Sequence, residues 1–157
     1  QEVQLAMKIE LTRRRFRRKV LECDYAMRQV VETLKRVHTG DLPFDRTIKV
    51  SQTENLEKDK ILARMPHNLR TLEPLMEANV EDFQRLLDER TPAKEKDETR
   101  EHLRLRRRKT VTLVEELSIR TQKVQPLMKK LEQISQRMDE LEREVEALKG
   151  NRAAKEE

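Results

Sequence analysis

Seven residues of this chain, Phe16, Val20, Cys23, Met27, Val30, Leu34 and Val37, are spaced 4, 3, 4, 3, 4 and 3 apart. That alternation keeps one apolar stripe turned toward a shallowly crossing neighbour along a long helix, and it does not suit a strand. A cleaner seam runs through Leu117, Val124, Leu127, Leu131, Ile134, Met138, Leu141, Val145 and Leu148, with steps of 3 and 4 alternating from Val124 onward. Two such seams restrict the chain to an all-α fold. Composition agrees: 41% of residues are charged, 35% are hydrophobic, and there are two glycines and no Trp. Such a chain has apolar material for narrow stripes rather than for a thick core. The expected architecture is an elongated bundle of long helices with coiled-coil-like packing and proline-induced breaks.

The first helix is expected over residues 2–39, ended by Gly40 with Pro43 just beyond, since Gly past the last turn followed by Pro stops a helix. Ser51 and Glu54 form an S-x-x-E capping box before a short helix over 52–64, which Pro66 interrupts. Leu69, Leu72, Leu75, Met76, Val80, Phe83 and Leu86 or Leu87 mark a helix over about 68–90. Within it, either Thr71 caps a start just before Pro74 or the helix kinks at Pro74. Asn79 with Asp82 reads as a further cap. Thr91 as N-cap and Pro92 at the first helical position open a last helix over 92–149. Pro126 predicts a kink or break within Thr121 to Gln125. Gly150 ends the pattern and leaves residues 150–157 as a frayed tail, so 1–149 read as a single helical domain.

The chemistry of an enzyme is missing from the sequence. No phosphate-binding glycine loop occurs, and two glycines could not build one. His38, His67 and His102 lack metal-ligand spacing, and there is no C-x-x-C. Glu115 and Glu116 point about 100° apart on a helix and cannot share one site. Cys23 lies in the first seam, where a buried, inert thiol is expected, and one cysteine cannot form an internal disulfide. No catalytic, cofactor-binding or metal-ligating residue is assigned, and no cofactor is expected. No run of 18 apolar residues occurs, so no membrane partner is expected, and the reducing, cytoplasmic compartment is the expected one.

Two basic blocks carry what functional signal remains. One is Arg13, Arg14, Arg15, Arg17, Arg18 and Lys19; the other is Arg104, Arg106, Arg107, Arg108 and Lys109. Among these, Arg13, Arg14, Arg17, Arg18, Arg104, Arg106, Arg107 and Arg108 are the candidate phosphate or polyanion contacts. The competing reading is a solvated helix face paired with acidic neighbours, as the balance of 35 basic and 30 acidic residues allows. Extended backward, the later heptad brings Arg106 or Arg107 near the seam, unless the seam begins at Leu113.

The opening stretch QEVQLAMKIE resembles the end of the conserved N-terminal region of primary (housekeeping) bacterial sigma factors. Glu2, Val3, Leu5, Ala6, Lys8, Ile9 and Glu10 match that pattern, and Met7 departs from its usual basic residue. Residues 11–149 are similar to the non-conserved helical insert that follows in such factors. VVETLKRVHTGDLPFDRTIKV falls where the insert has a helix, a glycine-containing turn and a loop. VQPLMKKLEQISQRMDELEREVEAL resembles its later helices, which also carry a proline. The resemblance implies a piece of a longer initiation factor that associates with core RNA polymerase. It also implies that promoter DNA is read mainly by segments outside this stretch. A stand-alone helical scaffold or coiled-coil adaptor is the alternative, and whether the chain forms a homo-oligomer is left open.

Overall fold

The computed structural model describes residues 2–50 and 55–153. Among them lie six α-helices: α1 (Glu2–Leu21), α2 (Asp24–His38), α3 (Phe44–Thr47), α4 (Asn55–Leu87), α5 (Ala93–Glu115) and α6 (Thr121–Ala153). The chain is all-α, as the heptad seams require. Extended structure among the described residues is confined to one antiparallel bridge, Ile48 to Ile119.

The centre is a three-helix bundle. α4 and α5 form an antiparallel hairpin, tied near its turn by Arg85 and Glu95 and at its far end by Asn68, which donates to the Leu113 carbonyl at 2.8 Å. α2 lies antiparallel to α4, with Lys35 bonded to Glu73 and Asp24 to Asn79. Each helix turns one stripe inward. α2 buries Ala26, Met27, Val30, Val31, Leu34 and Val37, and α4 supplies Ile61, Met65, Leu69 and Leu72. Val111, Val114, Leu117, Ile119 and Val124 close the core from the α5–α6 side.

The first seam is real but belongs to two helices. The chain breaks at Glu22–Cys23, where Cys23 is extended (φ −77°, ψ 124°). The break sets Asp24 in the first turn of α2, where a carboxylate suits the positive end of the helix, and aims it at Arg107. Cys23 is half-buried against the core instead of fully enclosed, and Phe16, 47% exposed, stands clear of it. α2 ends as expected: Gly40 adopts φ +87°, and its N–H donates to the Val37 carbonyl. The Ser51–Glu54 capping box lies outside the described residues.

α4 corrects the expectation of two middle helices. It runs without a break through Pro66 and Pro74. Each proline deprives the carbonyl four residues back of its N–H. Those carbonyls belong to Leu62 and Arg70, both exposed residues, where solvent can take the place of the lost N–H while the buried stripe holds the helix together. Thr71 caps nothing; its hydroxyl donates to the His67 carbonyl within the helix. Thr91 likewise closes α4 rather than opening α5, donating to the Arg85 carbonyl at 2.9 Å. Pro92 takes the cap position and α5 starts at Ala93.

The break before α6 precedes its proline. α5 ends at Glu115 and α6 begins at Thr121, and between them Ser118 takes φ 54°. Lys49 N–H donates to the Ser118 carbonyl and Arg120 N–H to the Thr47 carbonyl, both at 2.8 Å. That exchange buries Thr47, Ile48 and Ile119. Pro126 is then inside α6, in its early turns. α6 also continues past Gly150 to Ala153.

Candidate functional site

The two basic blocks stand almost ninety residues apart in sequence, yet the fold brings Arg18 and Lys19 of the first and Arg104 and Arg107 of the second to the joint between α1 and α2. Glu22 sits at that joint. It pairs with Lys19 at 2.7 Å and with Arg18 at 3.8 Å. Across from it, α5 presents Arg100, Arg104 and Arg107 around a cleft of about 330 Å³ whose floor is Phe83, Leu86 and Leu103.

Three of the eight candidate arginines, Arg17, Arg106 and Arg107, are engaged inside the molecule. Arg17, with 16% of its side chain exposed, makes three contacts: Nε to Glu115 Oε1 at 2.8 Å, Nη1 to Thr121 Oγ1 at 2.9 Å and Nη2 to the Ile119 carbonyl at 2.6 Å. It fastens α1 to the α5–α6 junction and accepts no outside ligand without releasing that junction. Arg106 donates to Asp82 Oδ2 at 2.8 Å and to Asn79 Oδ1 at 3.2 Å. Arg107 grips Asp24 with Nε and Nη2. Asn79 completes the chain by donating to Asp24 Oδ1, and Arg85 donates to Asp82 Oδ1.

This network of Asp24, Asn79, Asp82, Arg85, Arg106 and Arg107 joins α2, α4 and α5 in one polar layer. Bidentate guanidinium–carboxylate pairing fixes geometry as well as charge. Its hydrogen bonds to the Asp24 carboxylate hold the Arg107 guanidinium above even its high ordinary pKa, so it stays charged throughout the accessible pH range. Asn79 and Asp82 are therefore not a helix cap. Both are buried in mid-helix, and their charges and dipoles are answered by α5. Of the two arginines near the backward-extended seam, Arg106 supplies that answer, while Arg107 turns to Asp24 on α2.

The remaining candidates are exposed. Arg14 pairs with Glu10 at 2.9 Å, one turn earlier on α1. Arg104 pairs with Glu101 through Nε at 2.8 Å, which raises the arginine pKa and lowers that of the carboxyl. Arg13, Arg15, Arg108 and Lys109 are exposed and make no ion pair among the described residues. Within the two blocks they are the cations best placed to meet a phosphate. Arg15 and Lys109 stand in the basic blocks but were not among the eight leading candidates, and nothing in local spacing distinguishes them. The signal is the lack of a carboxylate within ion-pair distance, which needs the fold.

Among the described residues, no group of three or more His, Cys, Asp or Glu side chains could hold a metal ion, and no helix is long and apolar enough to cross a membrane. Two apolar surfaces are left uncovered. On α1, Val3, Leu5, Met7, Ile9 and Leu11 are 46–73% exposed, and on α6 so are Met138, Leu141, Val145 and Leu148, at 43–68%. Comparison with protein-family models, with curated proteins and with solved structures found no match.

Proposed function

We propose that this chain is a helical module of a bacterial transcription initiation factor of the primary sigma class, working in the cytoplasm against core RNA polymerase. The observation that carries the reading is the motif Glu2, Val3, Leu5, Ala6, Lys8, Ile9 and Glu10. The surface geometry is consistent with it. The motif occupies the first turns of α1, where Val3, Leu5 and Ile9 are uncovered and so available to a protein partner. The bundle behind it supplies a rigid mount, because Arg17 fixes the far end of α1 to the α5–α6 junction. No chemical step is assigned to the module. Its engaged arginines, Arg17, Arg106 and Arg107, support a structural use of part of the two basic blocks, and promoter reading is left to other segments.

The test is reconstitution. A tagged polypeptide carrying this stretch in its natural sequence context is mixed with core bacterial RNA polymerase and promoter templates. It should co-elute with the core and confer promoter-specific initiation. A polypeptide that neither binds the core nor directs initiation refutes the reading. A helical scaffold or adaptor is the second reading, and the uncovered apolar stripe of α6 is the observation that favours it.

A further inference from the structure

The later seam divides in two. Val124 is buried in the bundle, and Leu127 and Leu131 are partly buried against it. One and two heptads further on, Met138, Leu141, Val145 and Leu148 continue the same stripe with nothing over them. In heptad terms Leu131, Met138 and Val145 take a positions, and Ile134, Leu141 and Leu148 take d positions.

We propose that the uncovered half of this stripe is a self-association surface, on which α6 of a second copy of the chain lies parallel and in register. The flanking charges choose this occupant. Parallel in-register pairing sets each g residue beside the e residue five positions later on the other helix. Arg137 then meets Glu142 of the second copy, and Glu144 meets Lys149, so two-fold symmetry makes four attractive contacts. In an antiparallel pair centred on Met138 and Leu141, Arg137 meets Glu144, while Glu142 meets Ser135, leaving two. Val145 at a between Leu141 and Leu148 at d is also the pattern that favours two parallel strands.

In the single chain those same charges are held on their own helix: Arg137 bonds Glu140 at 2.9 Å and approaches Glu144, and Lys149 bonds Glu146 at 3.3 Å. All are surface pairs with little hold on their partners, so they re-pair across an interface without breaking the fold. The free stripe is short, and the pairing is correspondingly weak and concentration-dependent. The inference does not depend on the transcriptional reading, because it rests on α6 alone.

The experiment is sedimentation of the full 157-residue chain over a wide concentration range at low salt, in a Cys23→Ser background, with circular dichroism confirming helix content in each variant. The expected result is a reversible monomer–dimer equilibrium. Glu142→Arg places like charges across the parallel interface and should weaken it about tenfold or more, whereas it leaves the antiparallel arrangement's contacts intact. Adding Arg137→Glu restores opposite charges in the parallel register and should recover much of the loss. Leu141→Cys should form an intermolecular disulfide under mild oxidation. A chain that stays monomeric at every concentration overturns the proposal, as does a dimer indifferent to Glu142→Arg. Protection of the α6 stripe only when core RNA polymerase is added, with no dimer seen, assigns that face to a different partner and equally overturns it.

Discussion

Asp82 shows how much one side chain decides in this bundle. It is 8% exposed and accepts hydrogen bonds from Arg106 on the neighbouring helix and from Arg85 on its own. Truncation leaves a guanidinium facing a low-dielectric layer with no counter-charge, so Asp82→Ala should cost about 2–4 kcal/mol in urea unfolding. A double-mutant cycle with Arg106→Ala should then show coupling of about 1 kcal/mol or more. Lys35 and Glu73 make a gentler tie between α2 and α4. Their hydrogen bond lowers the glutamate pKa and raises that of the lysine. A depressed carboxylate stabilises the fold above its unfolded-state pKa, and the contribution fades as pH falls through the folded value. The raised lysine contributes below its unfolded-state pKa and loses that as pH rises through the folded value. The difference in thermal midpoint between the parent chain and Glu73→Gln should therefore be steady around neutrality and disappear under acid conditions. Thermal melts across a pH series measure it directly.

At the scale of the element, the joints carry more information than the helices. Ser118 holds φ 54° so that the chain can leave α5, exchange two backbone bonds with residues 47–49 and enter α6. A non-glycine residue there pays a conformational cost of about 1 kcal/mol. Ser118→Gly should accordingly raise stability by up to about 1 kcal/mol without altering the helix content, as chemical unfolding will report. The two seams make a sharper contrast. Leu34 is fully buried in α2, whereas Leu148 is 68% exposed on α6, although both lie on a heptad seam. Leu34→Ala should cost about 3–4 kcal/mol. Leu148→Ala should change the stability of the dilute monomer by less than about 0.5 kcal/mol. Equal costs would mean that the end of α6 is covered within a single chain.

Taken as a whole, the molecule spends much of its positive charge on itself. With Arg17, Arg106 and Arg107 committed to internal partners, its affinity for DNA should be weak, independent of sequence and strongly salt-dependent, about 10⁻⁴–10⁻⁶ M at physiological salt. Four Gln substitutions, at Arg13, Arg15, Arg108 and Lys109, should flatten the dependence of log affinity on log salt by about one unit for each residue that meets a phosphate. Titration of promoter and scrambled duplexes at several salt concentrations is the measurement. A preference for promoter sequence would place base-reading residues within this chain. Charge reversal of Arg106 or Arg107 is uninformative for that purpose, since it dismantles the polar layer between α2, α4 and α5 before it tests any contact with DNA.

The amino-acid sequence by itself determined the helical class and part of the buried set. Heptad spacing picks out Val20, Met27, Val30, Leu34 and Val37 because a period set by helix geometry survives whatever the helix packs against. Gly40 marks the end of α2 for a similarly local reason, its positive φ. Tertiary structure alone decided where helices break and which charges are free. Pro66 and Pro74 were legible as interruptions, yet a buried stripe on one side and exposed residues on the other let α4 run through both. The break at Glu22–Cys23 has no local signal, because it serves a contact between Asp24 and an arginine 83 positions away. The candidate site follows the same division. Both basic blocks are plain in the sequence, but separating Arg106 from Arg108 requires knowing that Asp82 stands opposite the first and not the second. A carboxylate neutralises whichever guanidinium lies within hydrogen-bond reach, and that reach is set by how α4 and α5 pack, not by their spacing along the chain.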